Sequence, residues 1–238
     1  MRLILPLLAL LFSCASPSIM LAPTPTPSPQ PAPQPAPGPP ITYLALGDSY
    51  TIGEGETAAH RWPVQLAALA RQQGLALAEP DVIARTGWTT AELQDAIKSA
   101  NNQKTYGLVS LLIGVNNQYR GQSVALYRAE FRALLATAVR FAGGQPRRVL
   151  VLSIPDWGQA PFAQGRDQAQ IAREIDQFNL AAHEECQSAD VAFLDITPLT
   201  RAAAGDASQF VPDRLHYTGA HMYRWSTLGL PVVQQMLR

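Results

Sequence analysis

Residues 41–51 read ITYLALGDSYT. The run 41–46 is short, apolar and rich in strand-forming residues. It ends in Gly47-Asp48-Ser49, and the glycine permits a tight exit from a strand. A serine in that place points out of the carboxyl edge of a sheet. Alone the tripeptide is a weak signal, since Gly-Asp-Ser is a common turn. Its weight comes from the pattern around it.

Downstream, strand-like and helix-like segments alternate. Residues 63–73 read as a helix with Pro63 in its first turn. A short strand is expected at 82–84. A helix is expected over 89–100, opened by Thr89 with Glu92 three residues on, a capping-box pattern. Residues 108–113 form a buried strand. Val124, Tyr127, Phe131, Leu134, Leu135 and Ala138 mark one face of a long helix. Residues 149–154 are a fourth strand and 191–194 a fifth. Between them lies a helix over 167–188, with Asp167 as N-cap and Gln170 at the third helical position. From about Thr218 the chain is mostly helical, and Pro231 is expected to interrupt or kink it. Apolar strands separated by amphipathic helices imply a parallel sheet covered on both faces. Five strands fit a flavodoxin-like three-layer α/β/α sandwich, with catalytic groups at the carboxyl ends of the strands.

This domain, 41–238, is preceded by different material. Residues 1–22 read as a signal peptide: Arg2 is followed by an apolar run, 3–12, too short for a standard spanning helix. The run closes in Ser13-Cys14, which resembles the bacterial lipobox and implies a lipidated Cys14 and a membrane tether. A secretory signal cut near Ala22 is the other reading. Residues 23–40, PTPTPSPQPAPQPAPGPP, hold half of the chain's 20 prolines. Such a segment has little to bury and forms no ladders; it is expected to be an extended spacer of up to ~55 Å, at about 3.1 Å per residue.

Eighteen basic and 18 acidic side chains give a net charge of zero. No basic stripe is present, so nucleic acid is not an expected partner. Only Cys14 and Cys186 exist; Cys186 follows Ile171, Ile175, Phe178 and Ala182 on one helical face and reads as a small buried hydrophobe. No His, Cys, Asp or Glu cluster has metal-site spacing, and no cofactor is expected. The oligomeric state is not encoded in any visible pattern.

Three further elements accompany Gly47-Asp48-Ser49. The second strand is followed by Arg85-Thr86-Gly87, the third by Gly114-Val115-Asn116, and Asp213-Arg214-Leu215-His216 lies before the last helix. In this order the four elements resemble those of the SGNH hydrolases, also called the GDSL esterase/lipase family, and they extend from Gly47 to His216. The resemblance implies a serine ester hydrolase. Ser49 would attack the acyl carbonyl, His216 would act as its base, and Asp213 would orient His216. The backbone N–H groups of Ser49 and Gly87 and the Asn116 amide would form the oxyanion hole. The chemistry suits these residue types: a serine hydroxyl needs a base, and imidazole titrates near neutral pH. A tetrahedral intermediate needs preplaced donors. The family often has proline after its histidine; here Tyr217 stands there, a change expected to alter the loop rather than the chemistry. The Gly-x-Ser-x-Gly elbow of α/β-hydrolases is absent.

The remaining candidates have structural readings beside functional ones. His60 and His183 read as surface residues, whereas His221 competes with His216 for the role of base. Asp48 is expected to shape the serine turn. Arg120 suits either a polar leaving group or a surface salt bridge. Trp88 and Trp157 suit either a substrate pocket or ordinary packing. The leading function is hydrolysis of a small or single-chain acyl ester, such as a lysophospholipid. The alternatives are a carbohydrate O-acetyl esterase and a catalytically inactive binding module displayed on a stalk.

Overall fold

The computed structural model describes residues 39–238. The expected signal segment, Cys14 and nearly all of the proline-rich stretch lie outside the described residues. The domain begins with β1 (Tyr43–Gly47), the one-turn α1 (Ser49–Ile52), α2 (Trp62–Gln72), β2 (Asp81–Ala84) and α3 (Thr90–Ala100). It continues through β3 (Leu108–Leu112), α4 (Val115–Tyr119), α5 (Val124–Phe141), β4 (Val149–Leu152) and α6 (Gln168–Ser188). It closes with β5 (Ala192–Leu194), α7 (Thr197–Arg201) and α8 (Gly219–Met236).

The five strands form one parallel sheet in the order β2-β1-β3-β4-β5. That is the flavodoxin-like order expected from the alternation of elements. Right-handed crossovers account for the layers. The step from β1 to β2 runs one way along the sheet and sends α2 to one face. The steps from β2 to β3, β4 and β5 run the other way and send α3, α5 and α6 to the opposite face. α8 packs along α2, and α5 along α6. Every residue of β1, β3 and β4 is buried, as two-sided coverage requires. Each fully buried leucine there contributes about 1.5–3 kcal/mol relative to an exposed one.

Local signals set the helix starts. Thr89 and Glu92 form a reciprocal capping box on α3. Asp167 caps α6 by accepting from Gln170 N–H, but the Gln170 side chain turns to Glu174 instead of closing a box. Cys186 is fully buried, and burial pushes its thiol up to about 12.

The ends of elements differ from the sequence expectation. Ile41 makes only an isolated bridge to Leu77, so β1 starts at Tyr43. β4 stops at Leu152; Ser153 N–H still donates to Leu194 O at 2.9 Å, while its hydroxyl turns to Asp195 and Thr197. α8 runs through Pro231 without interruption. No helix among the described residues is long and apolar enough to cross a membrane.

Candidate active site

With β1 between β2 and β3, the residues leaving three neighbouring strands meet at one edge. They are Ser49 after β1, Gly87 after β2 and Asn116 after β3. The chain reverses its direction of travel along the sheet here, which opens a crevice beyond the strand ends.

Ser49 is placed by its own turn. Gly47 must be glycine, since a Cβ there would collide with Thr51 Oγ1 and stand 2.5 Å from the Leu112 carbonyl oxygen. Asp48 is the N-cap of α1; its Oδ1 accepts from Tyr50 N–H at 3.0 Å. This is the structural role expected for Asp48. The carboxyl is fully buried, which pushes it up to about 7 against the opposing Tyr50 hydrogen bond. Its Oδ2 has no partner among the described residues.

His216 arrives from a loop held by backbone bonds. Phe210 and Tyr217 form an antiparallel bridge, and Val211 N–H donates to His216 O at 2.9 Å. Within the loop Arg214 adopts a left-handed φ of 66°, a strained conformation for a side-chain-bearing residue. The start of α8 is tied back to the segment after Ser49. Glu56 Oε1 accepts from Gly219 N–H at 2.7 Å, and Gln65 Nε2 donates to Gly219 O at 2.9 Å. That Gly219 N–H is the main cause of a lowered Glu56 pKa.

The loop brings His216 Nε2 to 2.9 Å from Ser49 Oγ. On the other side of the ring, His216 Nδ1 lies 2.6 Å from Asp213 Oδ2. Asp213 Oδ1 accepts from the N–H groups of Leu215 and His216 at 2.8 and 3.0 Å. Partial burial pushes the Asp213 carboxyl up, but the His216 ring and these N–H groups outweigh it, so its pKa is lowered. An ionised carboxylate only accepts, so Nδ1 carries the proton and Nε2 offers its lone pair to Ser49. Ser49 and His216 are buried, whereas the Asp213 side chain is 41% exposed.

Gly87 has φ of 83°, open to glycine without strain. Among the described residues, neither Ser49 N–H nor Gly87 N–H donates to another protein group. Asn116 Nδ2 donates to Trp88 O at 3.0 Å. An amide nitrogen has two protons, so one remains available.

The other histidines stand elsewhere. His221 is fully buried, stacks on Tyr217 at 4.4 Å, faces Gln209 Oε1 through Nδ1, and is driven down to about 4 by burial. The structure therefore removes it from competition. His60 is exposed and pairs with Glu56; His183 packs on Phe193. Tyr217 fills the core beneath the His216 loop, stacked between Phe210 and His221.

Trp157 is buried and donates to Gln118 Oε1 at 2.7 Å. Trp88 is half-buried. Arg120 donates to Glu92, as one reading of the sequence expected, and also to the Gly87 carbonyl. No sequence pattern signals that second contact. None signals the exposed rings of Tyr119 and Phe162 either, which with Trp157 lie 5.3–5.5 Å from the Arg166 guanidinium. Among the described residues no three His, Cys, Asp or Glu side chains form a metal-ligating group.

The model of the GDSL-like Lipase/Acylhydrolase family matches residues 45–222. No curated protein sequence matches the chain. Among solved structures, TesA is similar at 19% identity and a TM-score of 0.65, covering 82% of this chain and 99% of its own. The psychrotrophic esterase EstA from Pseudoalteromonas sp., inhibited by monoethylphosphonate, is similar at 14% identity and a TM-score of 0.64, covering 83% and 98%. Axe2, an acetylxylan esterase from Geobacillus stearothermophilus, is similar at 17% identity and a TM-score of 0.60, covering 81% and 94%. At these identities the likeness to solved structures speaks for the fold.

Proposed function

The chain belongs to the GDSL-like lipase/acylhydrolase family and is an ester-hydrolysing enzyme, and on that premise we propose that it is an exported serine esterase with Ser49 as nucleophile. One observation carries the reading: the Ser49 hydroxyl faces the free lone pair of an imidazole whose other nitrogen is held by an ionised carboxylate.

As Ser49 Oγ bonds to the acyl carbon, its proton passes to His216 Nε2. The carbonyl π electrons move onto oxygen, giving a tetrahedral oxyanion. The N–H groups of Ser49 and Gly87 and the free Asn116 amide proton stabilise that charge. When the intermediate collapses, the ester C–O bond breaks and His216 returns its proton to the departing alcohol. Water then repeats the sequence on the acyl-enzyme and frees the acid. Asp213 keeps Nδ1 protonated and stabilises the imidazolium that forms.

The substrate of this reading is a small or single-chain acyl ester, such as a lysophospholipid. A second reading is an O-acetyl esterase of envelope or extracellular glycans. It draws support from the fold shared with an acetylxylan esterase. Strict preference for acetate over longer p-nitrophenyl esters, with activity on acetylated glycans, selects the second reading. Export and tethering rest on residues 1–22 and Cys14 alone. Replacing Cys14 with Ser should move the protein from membrane to soluble fraction, and a wild type already soluble would remove the tether.

A fluorophosphonate probe tests the mechanism. It should label the wild-type protein and not Ser49→Ala. Equal labelling of both would displace Ser49, and no labelling of either would favour an inactive binding module.

A further inference from the structure

The segment that carries Gly87 has little structure of its own. Between β2 and α3 its own backbone makes one turn bond, Trp88 N–H to Arg85 O at 3.3 Å. Gly87 has no side chain to anchor it. Yet an oxyanion donor helps only if it is already aimed before charge develops. Something outside the segment must hold it.

On one side the Thr86 hydroxyl donates to Glu54, beyond α1; the rest of the support comes from α4. Asn116 donates to Trp88 O at 3.0 Å. Asn117 Oδ1 accepts from Thr90 N–H at 3.1 Å, and its Nδ2 donates to Thr90 Oγ1 at 2.6 Å. Arg120 follows immediately after α4, four residues beyond Asn116, so both face the same side. Its Nη2 donates to Gly87 O at 2.6 Å and its Nη1 to Glu92 Oε1 at 3.2 Å. Glu92 in turn accepts from Thr89 N–H at 2.8 Å in the capping box of α3. The guanidinium therefore joins a carbonyl in the loop to a carboxylate on the helix that follows it. A charged donor on a carbonyl is among the stronger hydrogen bonds available.

We infer that Arg120 is a positioning residue for the oxyanion hole: by gripping Gly87 O and Glu92 it fixes the Gly87 backbone so that its N–H points at the reacting oxygen. This rests on the proposed role of Gly87 as an oxyanion donor. Both terminal nitrogens of Arg120 are engaged, one by Gly87 O and one by Glu92, while the side chain stays 46% exposed.

Kinetics on p-nitrophenyl acetate and butyrate test the inference. Loss of a donor costs roughly 10²–10³ in turnover, and loosening one should cost less. Arg120→Ala should lower kcat by about ten- to a hundredfold, with KM within about threefold and little change in melting temperature. Arg120→Lys should recover part of the loss, since an ammonium reaches the carbonyl but lacks the fork. Glu92→Gln, which loosens the same grip from its other end, should give a smaller loss in the same direction. Combined with Asn116→Ala, the Arg120→Ala loss should be less than multiplicative, because both act on one oxyanion. A kcat for Arg120→Ala within twofold of wild type overturns the inference. So does a loss confined to KM that varies with the charge of the alcohol, the mark of a leaving-group contact. Wild-type turnover by Asn116→Ala would instead bring down the oxyanion assignment, and Arg120's role with it.

Discussion

The exits of β1 and β4 carry the same residue types and use them oppositely. Ser49 follows β1 and Ser153 follows β4, and both are buried. Ser153 Oγ lies 2.9 Å from both Asp195 Oδ1 and Thr197 Oγ1, and accepts from the N–H groups of Ile196 and Thr197 at 2.8 and 3.1 Å. A hydroxyl has one proton and two lone pairs, so this one is saturated. Among the described residues Ser49 Oγ has one partner, His216 Nε2. Its lone pairs are uncommitted. Its proton faces an imidazole nitrogen. Position at a strand end does not make a nucleophile. The difference lies in which partners have already claimed the oxygen.

Exchanging each serine for alanine breaks the comparison most directly. Ser49→Ala should lower turnover by roughly 10⁵–10⁶ with the melting temperature nearly unchanged. A smaller step follows at the carboxylate behind the base. Asp213→Asn should cost roughly 10³–10⁴ in kcat, because the ring loses the acceptor that fixes its tautomer. The exposed side of Asp213 admits water, which keeps this loss below that of Ser49→Ala. Equal losses in the two variants would mean that the loop fails to form without the carboxylate. Circular dichroism and the Tyr217 environment would report that.

Ser153→Ala should behave in the opposite sense, leaving kcat within about threefold and destabilising the fold. It strands the N–H of Ile196, at about 1–3 kcal/mol, whereas the Thr197 N–H keeps Asp195 Oδ1 at 3.0 Å. For a domain of this size that lowers the melting temperature by roughly 2–12 °C. Loss of turnover with unchanged stability would give Ser153 a part in the chemistry and erase the distinction.

The two exits were unequally legible in the sequence. Apolar runs disclosed all five strands; in β1, β3 and β4 two-sided burial leaves no choice of residue, whereas the edge strands β2 and β5 are only partly buried. The Thr89–Glu92 box and the Asp167 cap were legible because their partners are three residues apart. Ser49, Gly87, Asn116 and Asp213–His216 stood out because their four elements, in order, resemble those of the SGNH hydrolases. The knot around Ser153 and the grip of Arg120 on Gly87 were invisible. They join residues 33 to 44 positions apart, and no local pattern encodes such a pairing. Pro231 misled for a related reason: propensity disfavours it in a helix, but α8 is held by its packing on α2.

The buried aspartates at the same exits sharpen the contrast further, with the smallest expected effect. Asp156 caps the turn after β4: Oδ1 accepts from Gly158 N–H at 3.0 Å, and Oδ2 pairs with Arg201 Nε at 2.8 Å. Asp48 caps the turn after β1 in the same way, but its Oδ2 has no partner among the described residues, and burial lifts its carboxyl from 3.8 to about 7. Between those two values the folded protein keeps a proton that the unfolded chain has released. Stability therefore falls as pH rises through this window, at about 1.4 kcal/mol for each pH unit and by at most a few kcal/mol in all. Asp48→Asn keeps the acceptor for Tyr50 N–H and removes the titration. Urea unfolding should show its advantage over wild type growing from pH 4 to 7 and level above that. Asp156→Asn should show no such gain, because it leaves Arg201 without its buried partner. A pH-independent difference for Asp48→Asn would mean that the unpartnered oxygen is solvated in solution, and the exit of β1 would then be as well satisfied as that of β4.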